Sequence, residues 1–352
     1  MSTPGSNIAI ACDGIVKSYG AVRAVQGLTL QVPEGAVYGF LGPNGSGKTT
    51  SIRMMTNILV PDAGAILING IPVGPKTKDI VGYLPEERGL YQKMKVGELL
   101  VFLAELQGIR PSEARPRVRR WLERVELGAW EAKKLNELSK GMQQKIQFIA
   151  AVIAHPPILI LDEFSSGLDP INANLLKDIL LELRAEGKTI LFSTHRMEEA
   201  ERLCDHVCLI DHGLKVLDGP LAQIRAAAGK STVRVDYRGD SATLRQAPGA
   251  ATVEDYGNYA EVRLRPEAQN AAAVAGMLRF LAPRLEITRF ELLEPSLNQI
   301  FLDTIARDNS SAATAPAAGG PDWGSRGPLP ENRCGDAEAA LGPAPTMSVP
   351  QL

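Results

Sequence analysis

Gly42-Pro43-Asn44-Gly45-Ser46-Gly47-Lys48-Thr49 has the spacing G-x-x-x-x-G-K followed by a hydroxyl residue, and residues so spaced hold phosphate. Glycines let the backbone wrap closely around an anion, so that successive N–H groups and a helix N-terminus face it. Lys48 neutralises the β and γ phosphates in this reading, the Thr49 hydroxyl ligates Mg²⁺, and Thr50 adjoins the same nucleotide-binding set. Further along, Ile158 to Leu161 is an apolar run that ends in Asp162-Glu163. Such a run is a buried strand whose carboxyl end delivers two acids. Beside a phosphate loop, Asp162 becomes a Mg²⁺ partner and Glu163 a candidate base for an attacking water.

These groups need a scaffold that brings distant segments to one edge. Val37 to Leu41, Ile80 to Leu84, Ile158 to Leu161, Thr189 to Phe192 and Val207 to Ile210 are short apolar runs separated by helical patterns, which predicts a parallel α/β sheet. The loop directly follows the first run and opens a helix, as a phosphate loop must. From Ala9 to Val32, short strands punctuated by Gly14, Gly20 and Gly27 predict an antiparallel patch, joined by Ala65 to Asn69. Between about residues 91 and 139, Leu99, Leu103 and Leu106, then Val118, Leu122 and Val125, recur at helical spacing and predict a helical subdomain.

Residues 7–229 are therefore expected to form one nucleotide-binding domain. Over 231–307 the alternation of Val233, Val235 and Tyr237, then of Val262 and Leu264, with a final strand near Leu285 to Leu292, predicts a small α+β accessory domain. From 308 to 352 the chain is rich in Ala, Gly, Pro and Ser, too poor in large apolar groups to offset the entropy of ordering, so a disordered tail is expected.

Composition narrows the class by exclusion. The 352 residues carry a net charge of -2 and are 45% hydrophobic, which fits a globular protein and supplies no global basic field for nucleic acid. The most apolar stretch, Ile146 to Leu161, is broken by Gln147 and His155-Pro156-Pro157 and falls short of a spanning helix. No secretory leader is expected at the N-terminus, so the chain should stay in the cytoplasm. Cys12, Cys204, Cys208 and Cys334 are scattered, and the Cys204/Cys208 pair is read as part of a buried strand rather than a metal site.

Further motifs identify a family. Leu138-Ser139-Lys140-Gly141-Met142-Gln143-Gln144 resembles the LSGGQ signature of ABC ATPases, Ser166-Gly167-Leu168-Asp169-Pro170 looks like their D-loop, and His195 looks like their switch histidine. Tyr19 resembles the aromatic that stacks on adenine. Gly82-Tyr83-Leu84-Pro85-Glu86 stands at the Q-loop, with Glu86 where most members carry glutamine. A carboxylate there still ligates a hard cation but adds negative charge and, when ionised, donates no hydrogen bond. Lys140, Met142 and Phe164 also depart from the common pattern. The resemblance spans roughly Ile8 to Ala228.

The resemblance implies a P-loop NTPase fold and a head-to-tail dimer, a homodimer or a paired ATPase subunit, with two Mg-ATP at the interface. Ser139 and Gly141 of one copy would reach the γ-phosphate on the other, and Asp169 would belong to the same junction. Thr49, Glu86 and Asp162 are the expected Mg²⁺ set, and Glu163 and His195 the catalytic pair. Glu86 to Tyr91, the LSKGMQQK form of the signature and Leu293 to Phe301 resemble the branch whose ATPase serves an ABC-2 type exporter. That implies an integral membrane permease as partner and a peripheral place on the cytoplasmic face of the plasma membrane. An alternative is a soluble ABC ATPase acting on ribosomes or DNA, which a single phosphate loop and the lack of sustained heptads disfavour. A P-loop kinase is disfavoured by the signature and D-loop.

Overall fold

The structure, a computed structural model, describes residues 7–87 and 89–304; the expected tail from 308 to 352 lies outside them. Two long antiparallel strands, β1 (Ile8–Tyr19) and β2 (Val22–Pro33), replace the several short strands expected. Gly20 makes the turn. Gly14 and Gly27 sit at bulges, where the register shifts around Ile15; a bulge absorbs an extra residue without ending the strand. β4 (Ala63–Ile68) pairs with the other edge of β1, and β5 (Ile71–Pro72) pairs with β4.

The central sheet has the order β10-β9-β3-β8-β7-β6. Its strands are β3 (Val37–Leu41), β6 (Val81–Leu84), β7 (Ile158–Asp162), β8 (Thr189–Thr194), β9 (His206–Asp211) and β10 (Leu214–Pro220). All pairings are parallel except that of β10 with β9. β3, β7 and β8 are buried at every position, as strands covered on both faces must be. Side chains divide by alternation: Leu159, Leu161, Ile190 and Phe192 join one core, while Ile158, Ile160 and Leu191 join the other, with Ile10, Ile15 and Ile52. Each fully buried side chain of this kind contributes about 1.5–3 kcal/mol.

With these two sheets go the helices α1 (Lys48–Met55), α2 (Val96–Leu106), α3 (Pro111–Arg124), α4 (Lys140–Val152), α5 (Pro170–Ala185), α6 (Met197–Leu203) and α7 (Leu221–Ala228). α2 and α3 pack against α4, but the buried stripe of α2 is Val96, Leu99, Leu100 and Ala104. Leu106, expected on that stripe, is 67% exposed, because it falls at the helix end where the stripe has rotated away. Phe164 is fully buried and meets Phe192 edge-on at 5.3 Å.

A third sheet, β12-β13-β11-β14, has its own core. It comprises β11 (Thr232–Arg238), β12 (Ala250–Asp255), β13 (Tyr259–Leu264) and β14 (Glu286–Leu293), with α8 (Ala242–Arg245) and α9 (Ala271–Leu281). Val233, Val235, Val262 and Leu264 point inward onto Met277 and Leu281. After β14 the chain turns helical over 297–304. Leu297 and Ile300 there pack on Leu41, Ala200, Leu209 and Ile224, and the Leu297 N–H donates to the Glu201 carboxylate. Among the described residues, no helix is long and apolar enough to cross a membrane.

Candidate nucleotide site

Parallel pairing places the carboxyl ends of β3, β6, β7 and β8 at one edge of the sheet, where α/β proteins bind ligands. The loop after β3 turns on glycines at Gly42 (φ +150°), Gly45 (φ +79°) and Gly47 (φ +104°). A Cβ on Gly42 would lie 2.1 Å from the Ile210 carbonyl oxygen, and one on Gly47 2.3 Å from that of Ala24, so neither position admits a side chain. The loop ends in α1, whose first residue is Lys48.

Lys48 is 5% exposed, and its Nζ donates to the carbonyl oxygens of Gly42 (2.7 Å) and Pro43 (2.9 Å). The ammonium thus lies curled over its own loop. Burial pulls its pKa down, while the carboxylates of Glu163, Asp162 and Glu86 act the other way. Ser46 Oγ is buried with no partner, a polar atom that an anion in the loop would satisfy.

The acids lie opposite. Asp162 ends β7 fully buried; its Oδ1 accepts from the Ser193 hydroxyl, and its Oδ2 has no partner. Burial drives its pKa up, and the Ser193 bond holds it partly back. Thr49 Oγ1 lies 3.4 Å from Glu86 Oε2. One unpartnered buried carboxylate oxygen, a hydroxyl and a second carboxylate form an all-oxygen donor set, which fits Mg²⁺.

Glu163 follows in the left-handed region at φ +50°, a conformation that costs a non-glycine residue about 1–3 kcal/mol. Its N–H donates to the Ser193 hydroxyl (3.1 Å) and to the Ser193 carbonyl (3.3 Å). The turn brings its carboxylate to His195, just past β8, with Oε1 3.0 Å from Nδ1. A cleft of about 330 Å³ is lined by Asn44, Lys48, Thr49, Thr50, Glu86 and Glu163, together with Ala24. A larger cavity of about 740 Å³ beside α3, lined by Arg117, Arg120 and His155 among others, holds none of the motifs. Converging polar groups, rather than size, mark the site.

The residues expected to reach across to a second copy, Ser139, Gly141 and Asp169, do not line this cleft. Ser139 caps α4, accepting from the Met142 N–H at 3.2 Å. Gly141 faces Leu168 and the Gly167 carbonyl, where a Cβ would lie at 3.4–3.5 Å. Asp169 caps α5 through the N–H groups of Ile171 and Asn172, and bonds from Asn172 hold its carboxyl below the usual range. Tyr19, at the end of β1, is half exposed and is not among the lining residues. Ala24 and Ser193 were not singled out by sequence. Ser193 meets Asp162 only because β7 and β8 pair in that register, and a lone serine in a strand carries no spacing signal.

Loop, acids and sheet define a P-loop nucleotide-binding ATPase. Its relatives narrow that class. The ABC transporter family matches residues 25–166, and the C-terminal domain of DrrA1-3-like ATP-binding proteins matches residues 219–305. An uncharacterised ABC transporter ATP-binding protein of Bacillus subtilis, YhaQ, is 42% identical over 84% of this chain and 98% of its own length. The daunorubicin/doxorubicin resistance ATP-binding protein DrrA of Streptomyces peucetius is 32% identical over 88% of this chain and 96% of its own. A solved ATP-binding subunit of an ABC transporter, 32% identical, superposes with a TM-score of 0.59 over 62% of this chain and 92% of its own. A dimeric cassette with ADP and phosphate bound, 23% identical, shares the fold with a TM-score of 0.57 over 60% of this chain and 98% of its own. The chain belongs to the ABC transporter ATP-binding proteins, enzymes that bind and hydrolyse ATP.

Proposed function

We propose that this ATPase works as a head-to-tail dimer around two Mg-ATP and drives a separate ABC-2 type permease in export from the cytoplasmic face of the membrane. One observation carries the dimer. Lys48, Thr49, Glu86 and Glu163 line one cleft, whereas Ser139, Gly141 and Asp169 sit outside it at the N-termini of α4 and α5. The N-terminus of α4 suits an anion, whereas Asp169 takes up the first N–H groups of α5 with its own carboxylate. Placed on a second copy's cleft, these groups complete a site that one chain leaves open.

Within each site Lys48 and the loop amides bind the phosphates, and Tyr19 takes the adenine. Mg²⁺, held by Thr49, Asp162 and Glu86, would neutralise charge on the phosphate oxygens. Glu163 orients or deprotonates the attacking water, and His195, bonded to it, fixes its carboxylate toward the phosphate side. Positioning and fixed charge supply most of the rate. Residues 7–229 act as the motor domain and 231–307 as the accessory domain. The export reading rests on DrrA and on the Nod factor export ATP-binding protein I of Burkholderia orbicola, which is 39% identical over 66% of this chain and 77% of its own length.

The composite site has a direct test. Lys48→Ala and Gly141→Asp should each be inactive alone. Mixed, they should regain part of wild-type turnover, because one site of the mixed dimer pairs an intact loop with an intact signature. No recovery on mixing, with both variants folded, would remove the head-to-tail arrangement.

A further inference from the structure

A second cluster lies just behind the acids. Glu199, in the first turn of α6, is 2% exposed and is met from several sides. The Ser165 hydroxyl lies 2.9 Å from both of its oxygens, and the Thr194 hydroxyl donates at 3.3 Å. Arg196 Nη1 donates at 2.8 Å, and the Lys177 ammonium stands 3.8 Å away. Each partner belongs to a segment of the site. Ser165 follows Glu163 by two residues, Thr194 and Arg196 flank His195, and Lys177 lies on α5, the helix that Asp169 caps.

A carboxylate this deep is costly unless fully partnered, and apolar residues of similar volume would fill the space as well or better. The strained turn at Glu163 also persists only where its surroundings over-determine it. Ser193 holds that turn on one side; Ser165, through Glu199, holds it on the other. We propose that Glu199 is a positioning residue for hydrolysis. It ties the Glu163 turn, the end of β8 and α5 into one register, and so presets the 3.0 Å contact between Glu163 and His195. It is buried and does not line the nucleotide cleft. The inference rests on the reading of Glu163 as the base.

The test uses the full chain. Glu199→Gln keeps the shape but loses the charge that gathers these donors. Its kcat should fall about 10- to 100-fold, the scale set by a misplaced catalytic group, while KM and the Kd of a fluorescent ATP analogue stay within about two-fold. A packing role alone would cost kcat and affinity together, or neither. Wild-type kcat, or a parallel loss of kcat and affinity, would overturn the proposal. Should Glu199→Gln fail to fold, Ser165→Ala removes a single hydroxyl and decides instead, with an expected loss of about 3- to 10-fold in kcat alone. Glu163→Gln is assayed alongside. Normal turnover there would sink the base reading, whereas its loss beside a wild-type Glu199→Gln would sink only the positioning role.

Discussion

At the residue scale, two neighbouring acids sit in different environments: Asp162 bonds to Ser193 and Glu163 to His195. Asp162 is buried with one oxygen unpartnered, and burial raises its pKa above the ordinary 3.8. Above 3.8 the native state therefore holds the proton that the unfolded chain releases, and stability without ligand falls as pH rises through the folded value. A cation beside the carboxylate reverses this. Mg-ATP should accordingly raise the Tm more at pH 7 than at pH 4.5. In Asp162→Asn the ligand-free Tm at pH 7 should equal or exceed the wild type, while the Mg-dependent increment disappears; thermal denaturation with and without Mg²⁺ reads both. On the proposed reading of Glu163 as the base, Glu163→Gln should cut turnover about 10² to 10⁴-fold while ATP binding persists. Equilibrium binding beside a phosphate-release assay separates the two effects.

Elements position these residues, and their legibility followed physical signals of unequal strength. β3, β7 and β8 announced themselves because strands covered on both faces are continuous apolar runs. β10 and β12 did not, since both lie at sheet edges with mostly half-exposed or exposed residues and no clean alternation. Gly14 and Gly27 misled because a bulge and a turn use the same residue. The loop's position and its acids were legible, whereas the Ser193 bond to Asp162 depends on strand register that local sequence does not encode. α4 carries a contact of the same kind: Gln147 Nε2 donates to the Glu87 carbonyl at 2.9 Å, and so pins the loop that bears Glu86. Gln147→Ala should cost only about 1 kcal/mol in stability but weaken Mg²⁺ dependence, as a titration of turnover against Mg²⁺ would reveal. Leu297, 2% exposed against α6 and α7, is the anchor of the C-terminal segment. Leu297→Ala should destabilise by about 2–5 kcal/mol, measurable by denaturant unfolding.

For the whole molecule, a net charge of -2 and one phosphate loop leave the choice of partner to surfaces outside the nucleotide cleft. Affinity purification in detergent should retain a polytopic membrane protein; ribosomes or DNA retained at moderate salt would overturn the transporter reading. The Glu163 turn has its own consequence for the intact protein. Its left-handed backbone would relax on replacement by glycine, so Glu163→Gly should fold at least as stably as the parent and hydrolyse nothing. A thermostability screen scored on folding alone would therefore enrich inactive enzyme at this position, and heat resistance would say nothing about fitness for work.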